Sequence, residues 1–357
     1  MKSYDPGYLE KIIDKFPRVK LVNLPTPVHR LENLAKELGL GELLVKREDL
    51  TGLAFGGNKS RKLEFIIADA LSKKADTIIT WGSLQSNWCL QTAAAARRCG
   101  LRPILVLFRT YELSQVDQGN ILLEKLLDAD IRFFEARTKG KSLAQEEAFR
   151  CLEEIADAEK ARGHRPYMVS VGGSATGGHM EKPLGALAYF LSMIEVYRQL
   201  SESGMPDWIV VASGSGATQA GLLVGARALG LKTAVAGICV SDSREEFLPL
   251  VKNIALELRD MLSLDLTLEE KDFILYNNYL GEGYGIINSK ITEIIKMVMQ
   301  KEGLVLDPVY TSKAMTGLVD LARKKHFSSG EKILFLHTGG TPALFAFSDR
   351  LLAADRF

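Results

Sequence analysis

The chain has 357 residues, with 45 basic and 44 acidic side chains and a net charge of +1. That balance leaves no basic excess for general nucleic-acid binding. A hydrophobic content of 46% is typical of a globular protein, and the length has room for two domains. The four cysteines form no CxxC pair, so we expect neither a disulfide scaffold nor a metal site.

No stretch has the pattern of a targeting or membrane segment. The first 16 residues are charged throughout and lack the apolar core of a signal peptide. The longest mostly apolar stretch, 184–194, is too short to span a bilayer and is interpreted as a buried helix. We therefore expect a cytoplasmic protein with no membrane or nucleic-acid partner.

Residues 1–50 are expected to be mostly irregular, apart from a short strand at 42–46. Strands and helices then alternate, with a less regular stretch at 269–285. Strands are predicted at 76–81, 102–108, 130–135, 167–171, 208–212, 233–240 and 332–337. After a helix that follows Asn58 as its N-cap, further helices are predicted at 86–98, 119–127, 142–162, 181–200, 217–229, 245–262, 289–302 and 312–325.

The predicted strands are continuously apolar, which indicates an α/β protein with parallel sheets covered on both faces. A glycine-rich joint at 172–178 indicates a crossing between two domains. We expect a smaller domain at 62–171 and a larger one formed by 1–61 and 172–357. A ligand site is then expected in the cleft, at the carboxyl ends of the strands.

The first candidate site is the sequence Phe55-Gly56-Gly57-Asn58-Lys59. The glycines allow a tight turn, Asn58 is a good N-cap, and apolar residues at helical spacing follow. Lys59 therefore lies in a first helical turn, where the partial positive charge would lower its pKa and free its amine as a nucleophile. The alternative is a solvated surface lysine.

The second candidate site is the loop 213–218, which follows a strong strand and opens a helix. Backbone N–H groups at such a turn bind phosphate, and hydroxyls can add donors. Gln219 breaks the dinucleotide pattern G-x-G-x-x-G, so a small phosphate monoester is the predicted guest. The alternative is a small-residue turn without a ligand. The candidate phosphate-binding residues are Gly214, Ser215, Gly216, Ala217 and Thr218.

Further candidates lie on three other loops. Ser86 and Asn87 begin a helix and could bind a substrate carboxylate, although Ser86 could simply cap that helix. Tyr284 and Tyr310 lie in turns and could stack on a flat ring, transfer a proton or only pack. A phosphate site, a reactive lysine, a carboxylate site and tyrosines together indicate pyridoxal phosphate, whose aldehyde forms a Schiff base with lysine.

These segments resemble the D-cysteine desulfhydrase and aminocyclopropane-carboxylate deaminase family, over about residues 24–347. The matching segments are 46–49, 56–59, 85–87, 213–221, 284–286, 307–313 and 337–340. The resemblance implies the two-domain, open parallel-sheet fold of the tryptophan-synthase-β-like (fold type II) enzymes, with pyridoxal 5'-phosphate as cofactor. It also implies a homodimer that acts on a small amino acid.

The same resemblance implies roles for individual residues. Lys59 would be the Schiff-base lysine, and Asn58 would bond the phenolic oxygen of the cofactor. The loop 214–218 would bind the phosphate, and Ser86 and Asn87 the substrate carboxylate. Tyr284 and Tyr310 would line the reacting face, and Thr311 would face the pyridine nitrogen. Lys59, Tyr284, Tyr310 and Ser86 form the expected catalytic set.

Two positions bear on the substrate. At the positions that correspond to 310–311, the deaminase branch of the family resembles a Tyr-Glu pair, whereas the desulfhydrase branch resembles a Tyr-Thr pair. The pair Tyr310-Thr311 therefore favours β-elimination. Trp88 and Leu90 replace the histidine and arginine of the family motif, and Trp88 is expected to border the substrate unless it only packs. The strand end at Trp81 is also bulkier than usual.

The resulting hypothesis is a lyase that converts D-cysteine to pyruvate, sulfide and ammonia. The alternatives are a lyase for L-cysteate or another β-substituted alanine, and a 1-aminocyclopropane-1-carboxylate deaminase. A protein that holds the cofactor and binds an amino acid without turnover is the alternative outside the enzymes.

Overall fold

We describe the fold from a computed structural model, which covers residues 3–140 and 145–353. Ten strands lie in two sheets in this part of the chain. They are β1 (Val28–Arg30), β2 (Glu42–Arg47), β3 (Thr77–Ser83), β4 (Arg102–Arg109), β5 (Asp130–Glu135), β6 (Pro166–Met168), β7 (Trp208–Ser213), β8 (Ala234–Cys239), β9 (Ile274–Tyr276) and β10 (Lys332–His337).

The larger sheet has the order β1-β2-β10-β7-β8-β9. Its strands pair in parallel, except that β1 runs antiparallel to β2 at one edge. The smaller sheet has the order β5-β4-β3-β6 and is parallel throughout. The inner strands β3, β7 and β10 are almost wholly buried. The prediction of an α/β fold with parallel sheets is confirmed.

Helices connect the strands and cover the sheets. They are α1 (Pro6–Ile13), α2 (Glu32–Leu38), α3 (Asn58–Ser72), α4 (Asn87–Arg98), α5 (Gly119–Leu126), α6 (Gln145–Ala161), α7 (Leu184–Leu200), α8 (Ala217–Ala228), α9 (Arg244–Met261), α10 (Ser289–Glu302), α11 (Thr311–Arg323), α12 (Thr341–Ala346) and α13 (Ser348–Ala353). Among the described residues, no helix combines the length and apolar character that crossing a membrane would require.

Several predicted boundaries need correction. The first 50 residues are not mostly irregular, because they form α1, β1, α2 and β2. The strand predicted at 167–171 ends at Met168, and the helix predicted from 181 begins at Leu184, after a proline at its N-cap. Residues 142–144, the predicted start of α6, lie outside the described residues.

The helix that carries Lys59 lies between the two sheets. α3 packs on α4 beside the smaller sheet and on α7 beside the larger one. The smaller sheet spans 77–168, and the domain boundary predicted between residues 61 and 62 falls inside α3. The division into 62–171 and its flanking segments stays a prediction.

A buried group of charges fixes the orientation of α3. The Arg61 guanidinium pairs with Glu48 at 2.5 Å and with Glu195 on α7 at 2.8 Å. Lys46 on β2 pairs with the same Glu195 carboxylate at 2.5 Å. Two buried cations are thus matched by two carboxylates, so no charge in the group lacks a partner. The start of α3 is thereby tied to both β2 and α7.

Candidate active site

The ends of the central strands meet at one cavity of about 1220 Å³. Its wall includes Ser83 at the end of β3, Ser213 at the end of β7 and Thr338 directly after β10. Because parallel strands point their carboxyl ends to the same edge of a sheet, residues distant in sequence converge there. The cavity also brings together most of the residues predicted from the sequence, namely Asn58, Lys59, Ser86, Asn87, Trp88, Gly214, Ser215, Gly216, Thr218, Tyr284 and Tyr310.

Backbone geometry delivers Lys59 to the cavity. Positive φ angles run through Ala54, Phe55, Gly56 and Gly57, directly before α3. A Cβ on Gly56 would lie 1.9 Å from the Asp49 carbonyl oxygen, so only glycine fits this turn. Asn58 is the first residue of α3 and Gly57 is the N-cap, which corrects the prediction that Asn58 caps the helix.

The surroundings of Lys59 make its amine a weaker base than that of an ordinary lysine. Burial lowers the pKa of Lys59 to about 8, and the Asp307 carboxylate opposes that shift. The Lys59 ammonium donates to Asn58 Oδ1 at 3.1 Å, while Asn58 Nδ2 donates to Thr218 Oγ1 at 3.1 Å. Desolvation is therefore the main physical cause of the lowered pKa.

The start of α8 has the form of a phosphate site. Gly216 is its N-cap with a φ of 87°, and no side chain in the described part of the chain caps the helix, so the first N–H groups are available to a ligand. Ser174 Oγ donates to Ser215 Oγ at 2.7 Å, which orients that hydroxyl. A Cβ on Gly214 would lie 3.0 Å from Val240 Cγ2, so glycine lets the loop pack closely against Val240. Ala217 is fully buried and lies outside the cavity lining.

Ser86 and Asn87 line the cavity at the start of α4. Ser86 is the N-cap of α4 and accepts a hydrogen bond from the Cys89 N–H, so it has a capping role as well as a place in the cavity. Asn87 Oδ1 accepts from Asn120 Nδ2 at 2.8 Å. The amide of Asn87 is thus held in one orientation, and its Nδ2 has no protein acceptor among the described residues and could donate to a ligand.

The two predicted tyrosines meet in the cavity. The Tyr284 hydroxyl is hydrogen-bonded to the Tyr310 hydroxyl and, at 3.0 Å, to Ser83 Oγ. Burial raises the pKa of both phenols, so both hydroxyls stay protonated at neutral pH. Two adjacent phenols and a serine give a hydroxyl chain that can hold or transfer a proton.

The role predicted for Thr311, facing the pyridine nitrogen of the cofactor, stays a prediction. Its side chain is fully buried, is not part of the cavity lining and donates to Asp307 Oδ1 at 2.7 Å. Thr338, to which the sequence assigned no role, also lines the cavity. The strand-end rule that found Ser213 would have found Thr338 and Ser83 as well.

Trp88 lies mostly in the core. It is 2% exposed, its indole N–H donates to Thr80 Oγ1 at 2.7 Å, and its ring packs against Gly173. Trp81 also lines the cavity, with its ring edge-on to Phe108 at 6.2 Å. The indole nitrogen of Trp81 is buried without a partner among the described residues.

Comparison with known proteins matches residues 19–339 to the family described as pyridoxal-phosphate dependent enzyme. The chain belongs to this family. The donor set at the cavity agrees with that assignment, because it combines an amine of lowered pKa with an uncapped helix N-terminus.

Relatives of known name cover almost the whole chain. A putative 1-aminocyclopropane-1-carboxylate deaminase of Pyrococcus abyssi is 39% identical over 96% of this chain and 98% of its own. A D-cysteine desulfhydrase of Klebsiella pneumoniae is 41% identical over 95% of this chain and 98% of its own. The family resemblance read from the sequence is confirmed.

Solved structures agree with the fold. The crystal structure of an ACC deaminase homologue matches with a TM-score of 0.85 and 38% identity, over 97% of this chain and 98% of that one. A threonine deaminase from Solanum lycopersicum matches with a TM-score of 0.65 at 17% identity, over 99% of this chain and 89% of that one, which shows a shared fold. The predicted fold type II architecture is confirmed.

Proposed function

We propose that this protein is a lyase that catalyses β-elimination from a small amino acid, with D-cysteine as the preferred substrate. The observation that carries the proposal is the convergence of Lys59 and the hydroxyls of Tyr284 and Tyr310 on one cavity. An amine that can take a proton and phenols that can give one are the groups that an elimination needs.

The residues fit the cofactor in separate parts of the cavity. The N-terminus of α8, with Ser215 and Thr218, would hold the phosphate, and Asn58 would lie beside the ring. When bound, pyridoxal phosphate supplies an aldehyde for amines and a ring that withdraws electrons from the substrate α-carbon.

The chain's own groups would then divide the work. Lys59 Nζ takes the α-proton, which its lowered pKa permits near neutral pH. Asn87 and the start of α4 hold the substrate carboxylate. Tyr284 Oη, supported by Ser83 and Tyr310, gives a proton to the departing group, so that sulfide leaves as a neutral or singly charged species.

Choice between sulfide elimination and ring opening rests on residues 310–311. Tyr310-Thr311 resembles the pair of the desulfhydrase branch, and neither Thr311 nor its partner Asp307 adds a carboxylate to the cavity wall. The relative from Klebsiella pneumoniae is named a D-cysteine desulfhydrase, whereas the relatives from Pyrococcus are named putative deaminases. D-Cysteine is therefore placed first, and L-cysteate or another β-substituted alanine next.

A panel of substrates tests the proposal. Purified holoenzyme should release pyruvate, ammonia and sulfide from D-cysteine faster than it releases 2-oxobutyrate from 1-aminocyclopropane-1-carboxylate. Borohydride reduction and peptide mapping should place the cofactor on Lys59, and Lys59→Ala should lose both label and turnover. Label on another lysine, or faster release of 2-oxobutyrate, would contradict the proposal. Cofactor binding without any product would favour the non-catalytic alternative.

The oligomeric state is also a proposal. We infer a homodimer from the family resemblance. Exposed apolar side chains on α5 and α12 support it, because these two helices pack against each other and bring those side chains to one region of the surface. The cytoplasmic location expected from the sequence stays a prediction.

A further inference from the structure

Lys313 is a buried lysine that lies outside the cavity lining. It is on α11 and is 1% exposed. Its ammonium donates to the carbonyl oxygens of Leu280 and Gly283, each at 2.8 Å, and of Val240 at 3.4 Å. No carboxylate lies within ion-pair distance of it among the described residues. Main-chain carbonyls therefore accept its hydrogen bonds, and the Asp307 carboxylate favours the charge only from beyond ion-pair distance.

Two of those carbonyls belong to a segment without regular secondary structure. We call residues 280–286 the Tyr284 strap. The strap leaves the larger sheet after β9 and crosses to the smaller one, where the Tyr284 N–H donates to the Gly140 carbonyl oxygen at 2.8 Å. The Tyr284 hydroxyl reaches Ser83 at the end of β3. The strap is thus anchored to the smaller sheet by Tyr284 itself.

On the larger-sheet side, Lys313 supplies the matching anchor. Its bonds to Leu280 and Gly283 lie on either side of the bend that precedes Tyr284. Gly283 has a φ of 147°, and a Cβ there would lie 2.6 Å from the Gly140 carbonyl oxygen, so the strap passes close to the smaller domain at this point. A loop of this kind holds one conformation only if its carbonyls have fixed partners.

We propose that Lys313 is a positioning residue: by binding the carbonyls of Leu280 and Gly283, it holds the Tyr284 hydroxyl against Ser83 and Tyr310. The inference rests on the proposed function in so far as Tyr284 transfers a proton. The position of the strap can be measured without turnover, so the two proposals can fail separately.

Hydrogen exchange on the holoenzyme tests the anchor directly. Lys313→Met keeps the aliphatic stem but removes every donor, and exchange of a peptide spanning 277–288 should accelerate about tenfold, as expected for loss of charge-assisted hydrogen bonds. Lys313→Gln retains amide donors without charge and should give an intermediate rate. Lys325→Met, at an exposed position just beyond the end of the same helix, should leave the peptide unchanged.

Measurements at pH 7 keep the Lys313 amine charged, because burial lowers its pKa only to about 8 while Asp307 opposes the shift. If Lys313→Met does not fold, Lys313→Gln decides the result. Exchange in the strap equal to that of the native protein would overturn the proposal. Faster exchange throughout the chain would also overturn it, because that result would show general loss of stability instead of a local anchor.

A double-mutant cycle tests whether Lys313 acts through Tyr284. Lys313→Met should lower kcat for pyruvate release about tenfold with little change in KM, since a small displacement of a proton donor is costly. In a Tyr284→Phe background, the same substitution should lower kcat no more than about twofold. Losses that multiply would overturn the inference. If Tyr284→Phe alone keeps full turnover, the proposed role of Tyr284 fails, and the exchange experiment still decides the anchor.

Discussion

At the scale of single residues, Lys59 shows how the surroundings decide chemistry. A lysine in water has a pKa of about 10.4, so its neutral amine is scarce at pH 7. Burial in the cavity wall removes water from the Lys59 amine and disfavours its charged form, and the nearby Asp307 carboxylate only partly offsets the resulting fall in pKa. The same desolvation acts on the buried Lys313. The ordinary lysine side chain thus becomes reactive without any unusual neighbour.

We predict that cofactor loading follows the titration of Lys59. With the pKa lowered to about 8, the neutral amine increases as the pH rises toward 8 and then saturates. The second-order rate of pyridoxal phosphate binding to the apoprotein, followed by stopped-flow absorbance, should rise and level off near pH 8. Nα-acetyl-lysine, whose only free amine is the side-chain amine, serves as the control, because its rate should keep rising toward pH ~10. A protein rate that also keeps rising would contradict the lowered pKa.

Trp88 is predicted to affect stability more than substrate choice. Trp88→Phe removes the hydrogen bond to Thr80 and some ring volume, which should cost ~1–3 kcal/mol in the free energy of unfolding. Trp81→Phe is the matched control, because its indole nitrogen has no partner among the described residues. It should cost less stability, as measured by urea unfolding.

The same pair separates packing from specificity. Relative turnover of D-cysteine and bulkier β-substituted amino acids should stay within about twofold in Trp88→Phe. It should change more in Trp81→Phe, whose ring stands against Phe108 in the cavity wall. A larger change in the Trp88 variant would restore the sequence-based interpretation that Trp88 borders the substrate.

At the scale of elements, the start of α8 should hold the phosphate because its first turn is uncapped. Gly216→Val adds a side chain where φ is 87° and where a Cβ would lie 3.1 Å from Ile254 Cδ1. Cofactor affinity should fall about tenfold or more, as expected when one charge-assisted hydrogen bond is lost. Equilibrium titration by absorbance measures the affinity.

Gly303→Val is the matched control for that substitution. Gly303 ends α10 with a φ of 62°, and a Cβ there would meet nothing within 4 Å. Both variants should lose ~1–2 kcal/mol of stability from the left-handed backbone, but only Gly216→Val should lose affinity. Equal affinities in the two variants would place the phosphate elsewhere.

The charges that tie α3 to α7 predict a dependence of stability on pH. Burial alone would raise the pKa of Glu195, but Arg61 and Lys46 overcome it and lower that pKa to about 2. A carboxyl with a lowered pKa in the folded state stabilises the fold above its unfolded pKa, near 4.5, and that contribution is lost as the pH falls toward 2.

Urea unfolding at pH 5 and at pH 3 should show this loss. The Glu195 contribution is up to about 3 kcal/mol at pH 5 and smaller at pH 3. Glu195→Gln should remove that part of the pH dependence, whereas Glu10→Gln, in a pair with Arg198 at the surface, should not. An unchanged slope in Glu195→Gln would show that the ionised form has no special stability here.

At the scale of the whole molecule, the exposed apolar side chains predict self-association. Leu126 on α5 is 75% exposed and Phe345 on α12 is 61% exposed. Light scattering should give about 79 kDa, twice the chain mass of 39.4 kDa. Leu126→Glu with Phe345→Glu should shift the protein toward 39.4 kDa, while Met299→Glu on α10 should not. A native protein that is monomeric at micromolar concentration would contradict the homodimer.

Local sequence was sufficient for the alternating strands and helices and for the loops at Lys59, Ser86 and 213–218. The hydrophobic period, the placement of glycines and the starts of helices are properties of short segments. The strands β3, β7 and β10 are almost wholly buried, so their apolar sequences can be recognised directly. The glycines at 56 and 57 were readable for the same reason, because a turn with positive φ leaves few other choices.

Tertiary structure alone decided which polar groups form hydrogen bonds with one another and which line the cavity. Thr311 follows a turn just as Thr338 follows β10. The Thr311 hydroxyl nevertheless donates to the Asp307 carboxylate, whereas Thr338 lines the cavity. Trp88 and Trp81 are both tryptophans near one loop, and only packing against Gly173 and Thr80 assigns Trp88 mainly to the core. Burial also set the pKa of Lys59. The sequence determines each segment's conformation through nearby residues, whereas desolvation and hydrogen-bond partners depend on contacts between residues far apart in the chain.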